Sequence, residues 1–411
     1  STTYNEEKKG LPFFQGKAEF GPVSPVAVKW CSKPTRIAKE HDILISIRAP
    51  VGPTNLASEE CAIGRGLAAI RPIIVNRPYI QYFLMLTQND LASKGTGTTF
   101  KAITKDVLKN HQIRVAPLNE QKRIVDKIKL LFSDLNEGEA LLKTVQEQLA
   151  TYRQSVLKAA VTGELIKGVA DEWTQYNVGQ LLTDIRYGTA KKCTIDPAKT
   201  PVLRIPNIVG GKIDLSNLKY TDFTEAELNK LRLKTDDILL VRSNGSVSLV
   251  GLSAVVTDDA AGYAYAGYLI RLRPKRDIIL PEFLNLYLHS PIARSRIELH
   301  ARSTSGVHNI NSDEVKSITL KVPSITEQKE IIDKVDGILS QIDTLENWCQ
   351  TELKRSFTMR QSILKAAFSG KLLPQDPSDE PASELLKRIQ ASRATIRSPR
   401  RLKHKKPGIE I

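Results

Sequence analysis

Long apolar runs are missing from this chain. No stretch approaches the ~18 consecutive apolar residues that a membrane-spanning helix needs, and the opening residues, Ser1-Thr2-Thr3-Tyr4-Asn5-Glu6-Glu7-Lys8-Lys9, contain no signal-peptide core. A cytoplasmic location is expected. Cysteine is scarce: Cys31, Cys61, Cys193 and Cys349 lie far apart, and the six histidines show no paired ligand spacing. That argues against a disulfide framework and leaves no metal site legible. Also missing are a Gly-rich phosphate loop ending in Lys-Ser/Thr and an Asn/Asp-Pro-Pro-aromatic motif of the kind that holds a flipped adenine. The chain thus carries no signature of an ATPase or a self-contained adenine methyltransferase, and no catalytic residue is legible. Gly64-Arg65-Gly66 and Gly95-Thr96-Gly97 are too short for dinucleotide loops and read as turns.

What is present is enough for two or three domains. The 411 residues exceed the ~250–300 at which single cores stop growing, and 41% hydrophobic with 26% charged residues is a globular composition. Of the formal charge of +15, nine positive charges lie between Leu385 and Ile409 with no acidic residue among them. A basic chain with a more basic tail points to polyanions such as nucleic acid.

The strongest signal is a duplication. Glu120-Gln121-Lys122-Arg123-Ile124-Val125-Asp126-Lys127 recurs 207 residues later as Glu327-Gln328-Lys329-Glu330-Ile331-Ile332-Asp333-Lys334, and the same offset carries Arg153–Ala160 onto Arg360–Ala367. From Glu120 to Leu165, 19 of 46 positions are identical without a gap. Both copies have helical periodicity. A heptad seam is predicted through Ile124, Ile128, Leu131, Leu135, Gly138, Leu142, Val145, Leu149, Tyr152, Val156 and Ala159. The second seam runs through Ile331, Val335, Ile338, Ile342, Leu345, Cys349, Glu352, Ser356, Met359, Ile363 and Ala366, with Glu352 and Ser356 helping to fix register. Pro117 and Pro323 stop the preceding segments, and Gly163 and Gly370 stand where C-terminal caps belong. Each helix is about 44 residues, or roughly 65 Å. Such a helix cannot bury its stripe alone, so the two copies are expected to pair.

The regions before the helices match more weakly. Asp42–Arg48 resembles Asp237–Arg242, Gly66–Pro72 resembles Gly267–Pro274, and Ile103–Asp106 resembles Ile310–Asp313. Both read as short strands broken by Gly, Pro, Asn and Ser turns, with helices at Arg77–Asn89 and Leu280–Glu298. The fold class is α/β: two similar α/β domains separated by two long helices paired as an antiparallel coiled coil. The boundaries are 1–116 and 166–322 for the domains, 117–165 and 323–372 for the helices, and 373–411 for the tail. Trp173 to Cys193 has no counterpart before Ser1, so the first domain is expected to lack its opening part.

Pro117-Leu118-Asn119-Glu120-Gln121-Lys122, Gln154–Leu165, their second copies, Ser46-Ile47-Arg48-Ala49-Pro50-Val51-Gly52 and Ala382–Ile389 together resemble the specificity (S) subunits of type I DNA restriction-modification enzymes. The resemblance implies a non-catalytic subunit that reads a bipartite double-stranded DNA target, one half-site per domain, with the helices setting the spacer. It also implies two methyltransferase (M) subunits and restriction (R) subunits as partners. S-adenosylmethionine, ATP and Mg would serve those partners, with no cofactor in this chain. The alternative is a stand-alone coiled-coil DNA-binding or scaffold protein.

Candidate DNA contacts are Arg, Lys, Asn, Ser, Thr and His in loops that follow strands, because such side chains reach phosphates and base edges. They are Arg48, Arg65, Lys94, Thr98, Thr99 and Lys101 in the first domain. In the second they are Lys191, Lys192, Arg204, Arg242, Ser243, Asn244, Ser246, Arg302, Ser303, Thr304 and His308. Candidate partner contacts are Glu120, Gln121, Lys122 and Lys158, with their copies Glu327, Gln328, Lys329 and Lys365. In the tail a short helix is predicted over Ser383–Ala391, with Arg393 onwards mobile. Deleting Arg393 to Ile411 should lower the salt dependence of DNA binding and leave the sequence preference unchanged. A binding isotherm series in rising salt checks the first, and an altered target sequence would assign the tail to base reading.

Overall fold

The computed structural model describes residues 3–97, 101–166, 172–304 and 306–397. The chain divides into two compact units, one of residues 1–141 with 351–411, the other of residues 142–350. The helices are not bodies of their own. Each is shared, the first helix spanning Leu118–Thr162 and the second Ile325–Phe368. Both end where the sequence places their caps, before Gly163 (φ 84°) and Gly370 (φ 73°), a left-handed conformation that glycine adopts without steric cost.

The first unit is organised by the strand Ile43–Ser46, all four residues of which are buried. Successive side chains of a strand point to opposite faces, and here the faces are separate cores. Ile43 and Ile45 pack with Tyr79, Ile80, Phe83 and Leu84 and with Ile124, Val125, Ile128, Phe132, Leu364 and Phe368 of the long helices. Leu44 packs the other way, with Phe14, Ala38, Cys61 and Leu67. This strand lies between Thr54–Leu56 and Leu67–Ile70, both antiparallel. A second sheet has the order Tyr4–Asn5, Lys29–Cys31, Leu11–Phe14, Cys61–Ile63, Ile37–Ala38.

The second unit repeats the device with Ile238–Val241. Ile238 and Leu240 join the core that includes Phe283, Leu284, Val156, Leu157, Ile331 and Val335, while Leu239 and Val241 pack with Leu203, Ala254 and Tyr265. One ion pair on a buried aspartate is copied as well. Asp42 accepts from Arg71 Nε (2.8 Å) and Nη2 (2.6 Å), and Asp237 accepts from Arg273 Nε and Nη2 (both 2.7 Å). The units differ at one edge. The sheet around Ile238–Val241 has four strands, with Leu182–Tyr187 on Leu269–Pro274, whereas the equivalent first-unit strand, Leu67–Ile70, pairs on one side among the described residues. The short helices also stop earlier than the periodicity predicts. The first breaks at Thr87, whose hydroxyl donates to the Phe83 carbonyl, and the second at Ser290-Pro291, where Ser290 caps a new helix.

Within each unit the helix halves run antiparallel. In the first unit, Arg360 donates to Glu139 (2.9 Å) and Asn136 (2.8 Å), and Ser356 donates to Glu139 (2.5 Å). In the second, Arg153 donates to Asp343 (2.6 Å) and Glu346 (3.1 Å). Arg153 and Arg360, like Glu139 and Glu346, are the same repeat positions. The predicted seam is half correct. Ile128, Leu135, Leu142, Leu149 and Val156 lie in it and Ile124 is buried beside Val125, but the later alternate places fall one residue on, at Phe132, Glu139, Gln146, Arg153 and Ala160. Val145, Tyr152, Leu345 and Met359 are exposed instead. Glu352 pairs with Arg355 of its own helix (3.6 Å) and is no cross-helix register contact.

Two proposed docking residues prove to be internal. Gln121 and Gln328 are both 0% exposed. The Gln121 Oε1 accepts from the Asn76 N–H (2.9 Å) and its Nε2 donates to the Ala116 carbonyl (2.7 Å). Likewise the Gln328 Oε1 accepts from the Leu280 N–H (2.7 Å) and its Nε2 donates to the Ile278 and Pro323 carbonyls (both 2.9 Å). Each glutamine ties the start of a long helix to the start of a domain helix. Glu120 is buried too, and Glu327 caps its own helix, accepting from the Ser324 N–H (2.8 Å) and Oγ (2.6 Å). The tail also departs from expectation: the helix runs from Ala382 to Arg397, so Arg393–Arg397 belong to it, and Leu385 is fully buried. Arg123 holds the segment before it through Asp379 (2.6 Å).

Leaving a buried polar group unpaired costs about 1–3 kcal/mol. Gln328→Leu orphans three, so the urea midpoint of the full chain should fall by the equivalent of about 2 kcal/mol or more. Lys329→Leu, at the exposed next position, should leave the midpoint within error; equal effects would show that the clamp is not what holds the helix start.

Candidate nucleic-acid interface

In each unit the central strand leads into a loop cluster built on one backbone cradle. In the second, the Arg242 N–H donates to the Tyr268 carbonyl and the Ile310 N–H to the Arg242 carbonyl, both at 2.9 Å. In the first, the Ile47 N–H donates to the Gly66 carbonyl and the Ile103 N–H to the Ile47 carbonyl, again at 2.9 Å. The structural counterpart of Arg242 is therefore Ile47, as counting from the matched Asp42 and Asp237 also gives, and Arg48 lies one residue beyond.

Beyond Arg242 a small sheet gathers much of the candidate set. Ser243 pairs with Asn309 and Asn244 with His308, and on the far side Arg302 pairs with Asn309 and Ser303 with His308. Thr304 opposite Val307 closes this three-stranded order. Ser246 follows directly, its N–H donating to Asn244 Oδ1 (2.9 Å). Arg242, Ser243, Asn244, Ser246, Arg302, Ser303, Thr304 and His308 are thus brought together by backbone pairing. The first unit has the same plan in reduced form, with Arg48 bridged to Ala102 and Ala102 to Thr96. Arg48 and Lys101 are exposed there, beside Lys94, while Thr98 and Thr99 lie outside the described residues.

The other candidates sit apart from these clusters. Exposed Arg65 lines a cavity of about 430 Å³ with Gln15, Lys29 and Arg36. Arg204 and Lys191 line another of about 550 Å³, with Gly267 and Tyr268. Lys191 is already engaged, its ammonium 2.7 Å from Glu227 and 5.2 Å from the Phe223 ring centre. That contact, with the Thr224 N–H, pushes the Glu227 carboxyl down to about 2. Arg204 Nη2 donates to the Asn217 carbonyl (2.9 Å), and Lys192 is exposed. Lys122, Lys158, Lys329 and Lys365 are exposed on the long helices.

Two residues escaped the sequence reading. Tyr187 stacks against Arg242, and Tyr268 is 63% exposed next to it. Neither had a signal: Tyr187 belongs to a strand with no first-unit equivalent among the described residues, and Tyr268 stands where the first copy has Gly66.

Comparison with known proteins agrees with the duplication. A family model described as the type I restriction modification DNA specificity domain matches residues 31–145 and again 170–355. The chain is similar to the type I restriction enzyme EcoKI specificity subunit of Escherichia coli K12, 29% identical over 357 residues, 82% of this chain and 76% of that one. It is also similar to the StySPI specificity subunit of Salmonella potsdam, 28% identical over 351 residues, with the same coverage of 82% and 76%. In fold it is similar to a chain from a study of complex assembly and conformational transition of the type I R-M system, with a TM-score of 0.72, 20% identity, and 90% and 92% of the two chains covered. The HsdS subunit from Thermoanaerobacter tengcongensis has a TM-score of 0.53 at 19% identity, over 90% and 94% of the chains.

The two first-unit lysines differ in a way that binding can detect. Lys94 is paired with Asp90 at 2.7 Å, whereas Lys101 is exposed with no ion pair to a described residue. A phosphate contact contributes about 0.9 to the slope of log K against log salt. Lys101→Ala should flatten that slope by roughly this amount and Lys94→Ala by clearly less. Identical slopes for wild type and Lys101→Ala would remove Lys101 from the interface.

Proposed function

Because this chain belongs to the type I restriction modification DNA specificity family, we propose that it is the subunit that selects the DNA target of a type I restriction-modification complex. Each unit reads one half of a bipartite sequence with its strand-end cluster, and the paired helices, which pass from one unit into the other, set the unread spacer. The observation that carries this reading is the repeated cradle at Ile47 and Arg242, which presents different side chains from the same backbone frame. A frame kept while its loops vary suits specificity on a common scaffold.

The chain's own role is binding, in the cytoplasm, without chemistry of its own. Methylation is the work of two docked methyltransferase subunits, which hold S-adenosylmethionine, and cleavage that of restriction subunits, which use ATP and Mg. Docking on the helices is supported by apolar side chains that no described contact covers. Tyr152, Leu345 and Trp348 are about half exposed in one unit, and Leu141, Phe357 and Met359 are half to two-thirds exposed in the other. Exposed large apolar groups at repeated positions suit a partner bound twice. Leu141 and Trp348 are such a pair, as are Tyr152 and Met359.

Copurification tests the reading. The full chain should bring down methyltransferase subunits in a ratio of two to one, and Lys122→Glu combined with Lys329→Glu should weaken that assembly. Unchanged assembly after the double reversal would leave these lysines as solvated helix surface. A chain that purifies alone and still selects a bipartite sequence would instead be a stand-alone reader.

A further inference from the structure

Arg242 stands out among the cluster residues. Its guanidinium lies 4.5 Å from the centre of the Tyr187 ring, and its Nε is buried with no hydrogen-bond partner among the described residues. Both ends of this stack are fixed. The Tyr187 hydroxyl accepts from the Ser312 N–H at 2.7 Å, and the Arg242 backbone is held on two sides by Tyr268 and Ile310 at 2.9 Å. An arginine stacked on a ring keeps its planar fork pre-organised, so little rotamer freedom remains to be lost on binding. A fork without an acceptor among the described residues is suited to a planar pair of acceptors supplied from outside.

We propose, resting on the DNA-reading function above, that Arg242 reads a guanine in the major groove, its guanidinium donating to O6 and N7 while Tyr187 holds its plane. Among base pairs, guanine is the base that offers two adjacent acceptors there, and it is the commonest specific partner of arginine. The first unit lacks this device. Ile47 occupies the equivalent cradle, and the strand that carries Tyr187 has no equivalent paired to Leu67–Ile70 among the described residues. The guanine contact therefore belongs to one half-site, the one read by the second unit.

Selection of bound sequences from a pool of randomised duplex DNA tests this, using the full chain together with the methyltransferase subunits that assemble on it. Wild type should enrich a bipartite sequence with a fixed guanine in one half. Arg242→Ala, and Arg242→Lys, which keeps the charge and loses the fork, should relax preference at that guanine by about five- to 150-fold, the discrimination of a good bidentate pair. The other half-site should persist in both variants, which shows that the protein is folded and bound. Tyr187→Ala should relax the same position to a smaller extent. An unchanged preference at every position in both Arg242 variants would overturn the assignment to Arg242. If wild type enriches no bipartite sequence, the DNA-reading function itself falls.

Discussion

The register of two repeated helices is the constraint on which the rest of the chain depends. Arg153 with Glu346, and Arg360 with Glu139, are the same pair of repeat positions used twice, once in each unit. Charged groups in a helix seam are poor contributors to stability, and their better-attested use is to select one register among several. A slip by one heptad would part both pairs. With the register set, the ends of the seam supply Ile128 and Phe132 with Leu364 and Phe368 to one domain core, and Val156 and Leu157 with Ile331 and Val335 to the other. Neither domain core is completed by its own segment of sequence. That is why the compact units divide the chain at the middle of each helix.

The clamps Gln121 and Gln328 extend the same logic. Each begins a long helix and satisfies backbone groups at the start of a domain helix, so helix and domain are joined by side-chain amides as well as apolar packing. Burial explains why these positions are identical in both copies. Their identity looks like a surface motif in sequence, yet it comes from the geometry of satisfying buried donors and acceptors.

Much of this was legible in sequence because duplication and periodicity are long-range signals. The helix limits followed from Pro117, Pro323, Gly163 and Gly370. The seam was misplaced at alternate positions because Leu131, Val145 and Tyr152 are apolar, while the true places carry Glu139, Gln146 and Arg153. Hydrophobicity alone cannot find a seam whose middle is polar. Counting from the matched Asp42 and Asp237 sets Ile47 opposite Arg242, and backbone pairing places both in the same cradle. Tyr187 lies on a strand with no first-unit equivalent among the described residues, so internal comparison does not point to it.

The central proposal is that one chain carries two reading heads whose separation is set by the paired helices. It is tested most directly by lengthening both helices where they pass between units, with four residues inserted between Leu141 and Leu142 and four between Gln350 and Thr351. Each insertion adds about 6 Å of helix with a stutter that a coiled coil absorbs by local unwinding. Sequencing of the sites methylated by the complex should return the same two half-sites with a spacer longer by about one or two base pairs, at ~3.4 Å per pair. The original spacer at full activity would contradict the proposal, because the distance between half-sites would then be set by something other than the helices.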